Sequence, residues 1–311
     1  SGQDLARATR GAAATLLGKI YLRNHDYANA KTYIDMVLNS GQYELESDFK
    51  YVWSENNKYG KEMIFALLHE TGNNAAEIAC HFGPSDHPEV PGRWQYYGVS
   101  LPFWRSYDKE DPRREFFYYD YTGDAKRDDQ SDYGFHYMVP EEGVTVVPND
   151  TTKYMQNVAT MKYTYDMISD AYYDGRTICI FRLSDVILCK AEIENNLNGP
   201  AAALPYLNQI RARAGAPEYG KHNRFPAPST KEAMNDAILK ERGYELVFEF
   251  QRRADLIRFG KYEEVVNAHL KKLGIAQPTN VTSSLRYFPY PLNDAQLNPN
   301  LAAENPSRLP K

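Results

Sequence analysis

The side chains best suited to meet a ligand are aromatic and lie close together in the chain. Arg93-Trp94-Gln95-Tyr96-Tyr97 is followed by Phe103-Trp104 and Tyr107. Indole and phenol rings offer flat apolar faces with a polar edge. Such faces suit the C–H faces of pyranose rings, while Arg and Gln side chains bond hydroxyl groups. Arg93, Trp94, Tyr96, Tyr97, Trp104 and Tyr107 are therefore the expected ligand-binding residues. The competing reading makes them the core of a Gly- and Pro-rich region that is poor in aliphatic residues. Phe116-Phe117-Tyr118-Tyr119 with Tyr121 alternates poorly and reads as a buried strand. Tyr172-Tyr173, near Asp170 and Asp174, read as exposed.

Other kinds of chemistry find less support. Glu241, Arg242, Glu245, Glu249, Arg252, Arg253, Asp255 and Arg258 form a charge ladder at helical spacing. A glycosidase needs two carboxylates flanking a sugar, roughly 5–9.5 Å apart, and neighbours on one helix cannot flank it from opposite sides. The interleaved arginines point instead to structural ion pairs holding adjacent helices. No enzymatic activity is expected. The 7 histidines show no His-Glu-x-x-His spacing; Glu77 and His81 share a face if that stretch is helical, but no zinc site is expected. Asp120, Asp124, Asp128, Asp129 and Asp132 do not match the EF-hand spacing and read as a solvated acidic loop. No phosphate-cradling loop, nucleophile elbow or Cys/His pair is present, so no cofactor is expected.

These residues must be positioned by a scaffold, and two matched helical hairpins supply one. Leu17-Gly18, Tyr21, Ala30, Ile34 and Val37 sit at tetratricopeptide-like spacings. Ile187, Ala191, Ala203, Leu207 and Ile210 repeat the spacing of Ala14, Gly18, Ala30, Ile34 and Val37, with 12 residues between the small positions in both (18 to 30, 191 to 203). The first helix is expected over Ala12–Leu22 and the second over Tyr27–Asn39, with Asp26 as its N-cap. Asn198-Gly199-Pro200 supplies the second turn. A later helix is expected from Ser229 or Thr230 to about Phe250, and another from Tyr262 to Leu273. Between the hairpins, Gly, Pro, Asp and Tyr dominate and no helical period persists; the stretch is too long for a structureless loop and should carry short helices and hairpins, with Thr145-Val146-Val147 as one strand. The fold class is therefore mainly α, with tetratricopeptide-like hairpins and an irregular, loop-rich insertion. The expected division is a hairpin and strand over 1–70, an aromatic-rich insertion and ligand face over 71–180, and helical repeats with an extended tail over 181–311, packed as one unit.

Composition narrows the function classes. The 311 residues carry 36 basic and 41 acidic side chains, a net charge of -5, which argues against nucleic acid as a partner. No stretch approaches the roughly 20 apolar residues that span a bilayer. Ser1-Gly2 leads almost directly into a helical pattern and reads as a fragment boundary, with no export signal or lipidation cysteine in view. Three cysteines, Cys80, Cys179 and Cys189, are too few for a disulfide scaffold.

The C-terminal third carries a more specific signal. Phe181-Arg182-Leu183-Ser184-Asp185-Val186 with Ala191-Glu192, Leu207-Asn208-Gln209-Ile210-Arg211-Ala212-Arg213-Ala214-Gly215, Glu241-Arg242-Gly243-Tyr244-Glu245-Leu246 and Asp255-Leu256-Ile257-Arg258-Phe259-Gly260 follow one another in order, ahead of Tyr287-Phe288-Pro289-Tyr290-Pro291-Leu292. This succession closely resembles the SusD/RagB family. Glu62-Met63-Ile64-Phe65 is similar to a family strand and Asp111-Pro112-Arg113 to a short family motif; the tail departs from the family ending around Asn298-Pro299-Asn300-Leu301. The resemblance implies a surface lipoprotein of the outer membrane that binds oligosaccharide beside a SusC-like TonB-dependent transporter and catalyses nothing. It also implies an N-terminal portion, with the lipid anchor and signal peptide, absent from this chain. Two rivals remain: a helical-repeat adaptor binding a protein, and a glycoside hydrolase.

Overall fold

The computed structural model of the chain describes residues 7–72, 75–76, 78–84, 87–90, 94, 96–123, 134–143, 152–166, 174–273, 281–286, 288, 290–298 and 300. Two compact units divide the chain, residues 1–249 and residues 250–311.

The first unit is built on two helical hairpins. Helix α1 (Arg10–Arg23) begins where Thr9 accepts a hydrogen bond from Ala12 N at 3.1 Å, which starts it before the expected Ala12. Helix α2 (Tyr27–Leu38) is capped as expected, Asp26 accepting from Asn29 N at 3.1 Å. The hairpin closes because a Cβ on Gly18 would lie 2.8 Å from Ile34 Cδ1, so only glycine lets the two helices approach this closely. Further along, α5 (Leu183–Asn198) and α6 (Pro200–Arg213) form the second hairpin, turned by Gly199 at φ 91°. The repeat positions Ala14, Gly18, Ala30, Ile34, Val37, Ile187, Ala191, Ala203, Leu207 and Ile210 are all buried. Small residues sit at the crossings and large ones fill the space around them. Helix α5 packs against α2, α6 and a later helix, α7 (Lys231–Glu245), and its Lys190 joins Asp35 of α2 at 2.5 Å. The fold is mainly α with tetratricopeptide-like hairpins.

Helix α7 ends at Glu245, short of the expected Phe250. The chain leaves the helix because other segments satisfy its terminal carbonyls. Buried Lys162 donates to Glu245 O at 2.8 Å and Val247 O at 3.0 Å, and the Tyr163 hydroxyl donates to Phe248 O at 2.9 Å. Phe248 takes a left-handed φ of 61° there, held by its ring packing edge-on against Phe82 at 4.9 Å.

Short strands and helices occupy the irregular stretch, in place of a structureless loop. Strand β1 (Met63–Leu67) pairs antiparallel with β8 (Ile178–Arg182), tying the end of the first hairpin to the start of the second. After the five-residue helix α3 (Ile78–Phe82) come β2 (Val99–Ser100), α4 (Leu101–Arg105), β3 (Phe117–Tyr118), β4 (Asp120–Thr122), β5 (His136–Met138), β6 (Thr152–Tyr154) and β7 (Asn157–Thr160). They form two three-stranded sheets, ordered β2-β7-β3 and β4-β5-β6. Phe117 and Tyr118 are buried, as the strand reading requires. The expected strand at Thr145-Val146-Val147 lies outside the described residues.

The second unit holds α8 (Arg252–Arg258), α9 (Tyr262–Lys272) and α10 (Leu292–Leu297), and polar clamps tie α8 and α9 to the Ser283–Arg286 turn. Arg286 grips Glu263 through two bonds of 2.7 and 3.0 Å, and Arg253 donates to the carbonyls of Leu285 and Arg286, both at 2.9 Å. No helix among the described residues is long and apolar enough to cross a membrane.

Candidate functional site

Helix α3 is so short that its carbonyls must find partners outside it. Two come from the aromatic segment that follows. Trp94 N donates to Cys80 O at 2.7 Å and Tyr97 N to His81 O at 3.1 Å. Those two bonds lay the chain across the end of the helix and gather its rings around His81. The His81 imidazole meets Trp94 edge-on at 5.1 Å, Tyr96 at 5.5 Å and Tyr97 at 6.1 Å; Trp94 and Tyr96 lie 5.5 Å apart, only 31° from parallel. The base of the cluster is apolar: Tyr97 rests on buried Phe82 at 5.3 Å, and Phe82 packs on Tyr163 at 4.7 Å. The outer faces remain open, with Trp94 39 %, Tyr96 65 % and Tyr97 53 % exposed.

Three aromatic rings presented by a rigid base form a stacking platform, the arrangement that large amphipathic side chains adopt at binding surfaces. His81 adds a polar atom beneath it, since its Nδ1 is buried without a hydrogen-bond partner.

The other expected ligand residues sit elsewhere. Trp104 is buried, its indole N–H donating to Arg114 O at 3.2 Å, with the Arg114 guanidinium 4.2 Å over the ring and Tyr119 at 5.2 Å. Tyr107 is buried and stacks on Tyr244 at 4.2 Å; its hydroxyl donates to Tyr244 O at 3.1 Å, and burial pushes its pKa well up. The rings of Trp104 and Tyr107 are thus surrounded by protein. Arg93 and Gln95 lie outside the described residues, as do Tyr172, Tyr173, Asp124, Asp128, Asp129, Asp132 and Glu77. In the sequence, His81 stands out only as a helical-face partner of Glu77. Its place under three rings depends on the 94–97 segment folding back across α3, which no local spacing announces.

The Glu241–Glu249 part of the charge ladder resolves into a buried network. Glu241 receives Arg113 and Arg211, both at 2.7 Å; Glu245 receives Arg182 at 2.7 Å, Arg113 at 3.0 Å and Arg213; Glu249 receives Arg182 at 2.6 Å and Lys162 at 2.7 Å. Arg242 instead turns to Asp185 at 2.7 Å, which also takes Lys19. The partners come from α1, the turn at Pro112–Glu115, the segment after β7, β8 and α6, so the carboxylates fasten separate elements together. Burial alone would raise the Glu245 pKa, but Arg213, Arg182 and Arg113 outweigh it and hold the group well below the usual range. Among the described residues, no group of three His, Cys, Asp or Glu is disposed to hold a metal ion.

A family model described as the SusD family matches residues 61–307. The chain belongs to the SusD family.

Curated relatives and solved structures are similar over much of the same chain. The SusD-like protein P25 of Formosa agariphila is 26 % identical over 320 residues, covering 96 % of this chain and 58 % of the relative. The starch-binding protein SusD of Bacteroides thetaiotaomicron is 28 % identical over 137 residues, covering 43 % of this chain and 22 % of that protein. Among solved structures, the surface glycan-binding protein A from Bacteroides thetaiotaomicron in complex with laminarihexaose superposes with a TM-score of 0.69 at 20 % identity, covering 96 % of this chain and 64 % of that one. A SusD superfamily protein from Parabacteroides distasonis gives 0.69 at 19 % identity, covering 95 % and 62 %. These likenesses establish the SusD fold. The chain spans 58 %, 51 % and 60 % of the length of three SusD-like relatives from Formosa agariphila.

Proposed function

We propose that this protein captures oligosaccharide at the outer-membrane surface without cleaving it and passes it to a TonB-dependent transporter of the SusC type. The observation that carries the reading is the open platform of Trp94, Tyr96 and Tyr97, fixed on His81 and Phe82. Stacking on C–H faces tolerates many sugars, and the 71–180 segment is the ligand face in this reading. A capture role without catalysis agrees with the carboxylates of α7, which are buried and paired with arginine. The relatives support the ligand class: one is named for starch binding and another was solved with laminarihexaose. Family membership supports the transporter and the surface location.

Affinity electrophoresis of the purified chain through gels containing starch, laminarin, xyloglucan or mucin glycan, with a reducing-sugar assay alongside, tests the proposal. Retardation by one polysaccharide, lost in Trp94→Ala and without sugar release, is the expected result. Sustained release of reducing sugar would make the protein a hydrolase and overturn it.

A further inference from the structure

Strand β7 is the middle strand of its sheet, paired antiparallel with β2 on one side and β3 on the other. Its Val158 is fully buried in a cluster with Val99, Trp104 and Phe117, and its Ala159 packs with Val90 and Tyr118. Both faces of the strand are thus fixed by apolar contacts. Asn157 begins the strand and is exposed. Side chains alternate along a strand, so Asn157 shares the face of Ala159, which packs on Val90, four residues ahead of Trp94.

The carboxamide of Asn157 lies over Gly98, the residue that follows Tyr97. A Cβ on Gly98 would stand 2.6 Å from Asn157 Oδ1, 2.9 Å from its Cγ and 3.1 Å from the carbonyl oxygen of Val158. The glycine therefore makes the space that the carboxamide fills. Consecutive Cα atoms are about 3.8 Å apart, which puts Oδ1 within about 8 Å of the Tyr97 Cα. A sugar chain laid on the platform can reach both. The Asn157 side chain makes no hydrogen bond among the described residues, and neither do the Tyr96 and Tyr97 hydroxyls. An amide carries one acceptor and two donors, which matches hydroxyl groups that donate and accept.

We propose that Asn157 is a ligand-binding residue of the platform: its carboxamide, seated on Gly98, hydrogen-bonds the hydroxyl groups of a neutral sugar stacked on the neighbouring rings. This rests on the glycan reading above. Rings alone hold a sugar by its C–H faces, and binding sites take their orientation from a few placed polar groups. Asn157 is suited to that part. Its backbone is held in a central strand and its carboxamide is packed on Gly98, so little freedom is lost when a ligand arrives. Being uncharged, it suits hydroxyls rather than carboxylates or sulfates.

Affinity electrophoresis of the full chain through starch, laminarin, xyloglucan and mucin-glycan gels tests the proposal. On the gel that retards wild type most, Asn157→Ala should weaken binding roughly tenfold, the loss of one or two neutral hydrogen bonds. Its melting temperature should stay within about 1 °C of wild type. Gly98→Ala keeps the carboxamide but pushes it out of its seat, and should weaken binding by about as much. Two changes that remove the same contact are not additive, so Gly98→Ala placed in the Asn157→Ala background should change binding no further. A further loss in that background would mean that Gly98 acts through the backbone of the platform, and overturns the proposal. An Asn157→Ala variant that binds like wild type, or that is destabilised, overturns it too. Wild type retarded by none of the four gels overturns the glycan reading, and the role of Asn157 with it. Wild type retarded, with binding lost in Trp94→Ala and kept in Asn157→Ala, leaves the platform standing and removes Asn157 alone.

Discussion

Arg182 and Glu245 meet at 2.7 Å in the interior, though 63 residues separate them in the chain. One ends β8 and the other ends α7, and Arg182 also donates to Glu62 and Glu249, each at 2.6 Å. Burial alone would lower the guanidinium pKa, but Glu249 and Glu245 outweigh it and hold the pKa well above the ordinary value. Each carboxylate needs its cation, since an uncompensated buried charge is strongly unfavourable. Arg182→Met should therefore lower stability by about 3–5 kcal/mol in urea titration. A loss below about 1 kcal/mol, the range of exposed pairs, would show that the network does not hold the elements together.

Stability should pass through a maximum in mildly acid solution. Glu245 and Asp185 are depressed by their cationic partners against the opposing effect of burial. Their contribution is complete above the unfolded values of 4.5 and 3.8 and is lost as the pH falls through the folded ones. Asp174 runs the other way between 3.8 and about 6. The urea midpoint should rise slightly from neutral pH towards about pH 5, then fall steeply below about pH 4. A midpoint falling steadily from neutral pH would contradict the raised pKa that burial gives the Asp174 carboxyl.

The two tryptophans of the irregular stretch should respond in opposite ways to truncation. Trp94→Ala should weaken polysaccharide binding and leave the melting temperature within about 1 °C, since its ring is open and its backbone makes the bond to α3. Trp104→Ala should destabilise by about 3–5 kcal/mol, because the indole fills the space between Arg114 and Tyr119. Calorimetry with laminarin and starch, paired with thermal unfolding, separates the two effects; equal destabilisation by both would place Trp94 in the core.

The crossing of α1 and α2 can be probed at one position. A Cβ on Gly18 would meet Ile34 Cδ1 at 2.8 Å and Cγ1 at 2.9 Å, and Ile34 is fully buried. Gly18→Val should cost about 1–3 kcal/mol by overpacking, read as a lower urea midpoint. Combining it with Ile34→Val should recover part of the loss.

Local order in the chain announced the scaffold. Alanine, glycine and leucine at repeated spacings encode a helix crossing because side chains three and four residues apart share a face, and Asp26 could cap only the helix that follows it. The order of the C-terminal motifs carried the family. Function at a particular ring was not encoded in that way. Trp94 and Trp104 are the same residue type in the same stretch, yet one is 39 % exposed and the other 5 %. The difference comes from Arg114 and Tyr119 closing over Trp104, while the 94–97 segment folds back across α3 with its rings outward. The charge ladder behaves alike: helical spacing showed that Glu241, Glu245 and Glu249 share a stripe, but their partners Arg113, Arg182, Arg211 and Arg213 arrive from other elements. Periodicity is a property of neighbours in the chain, whereas burial and charge pairing belong to residues that meet only once the chain is folded.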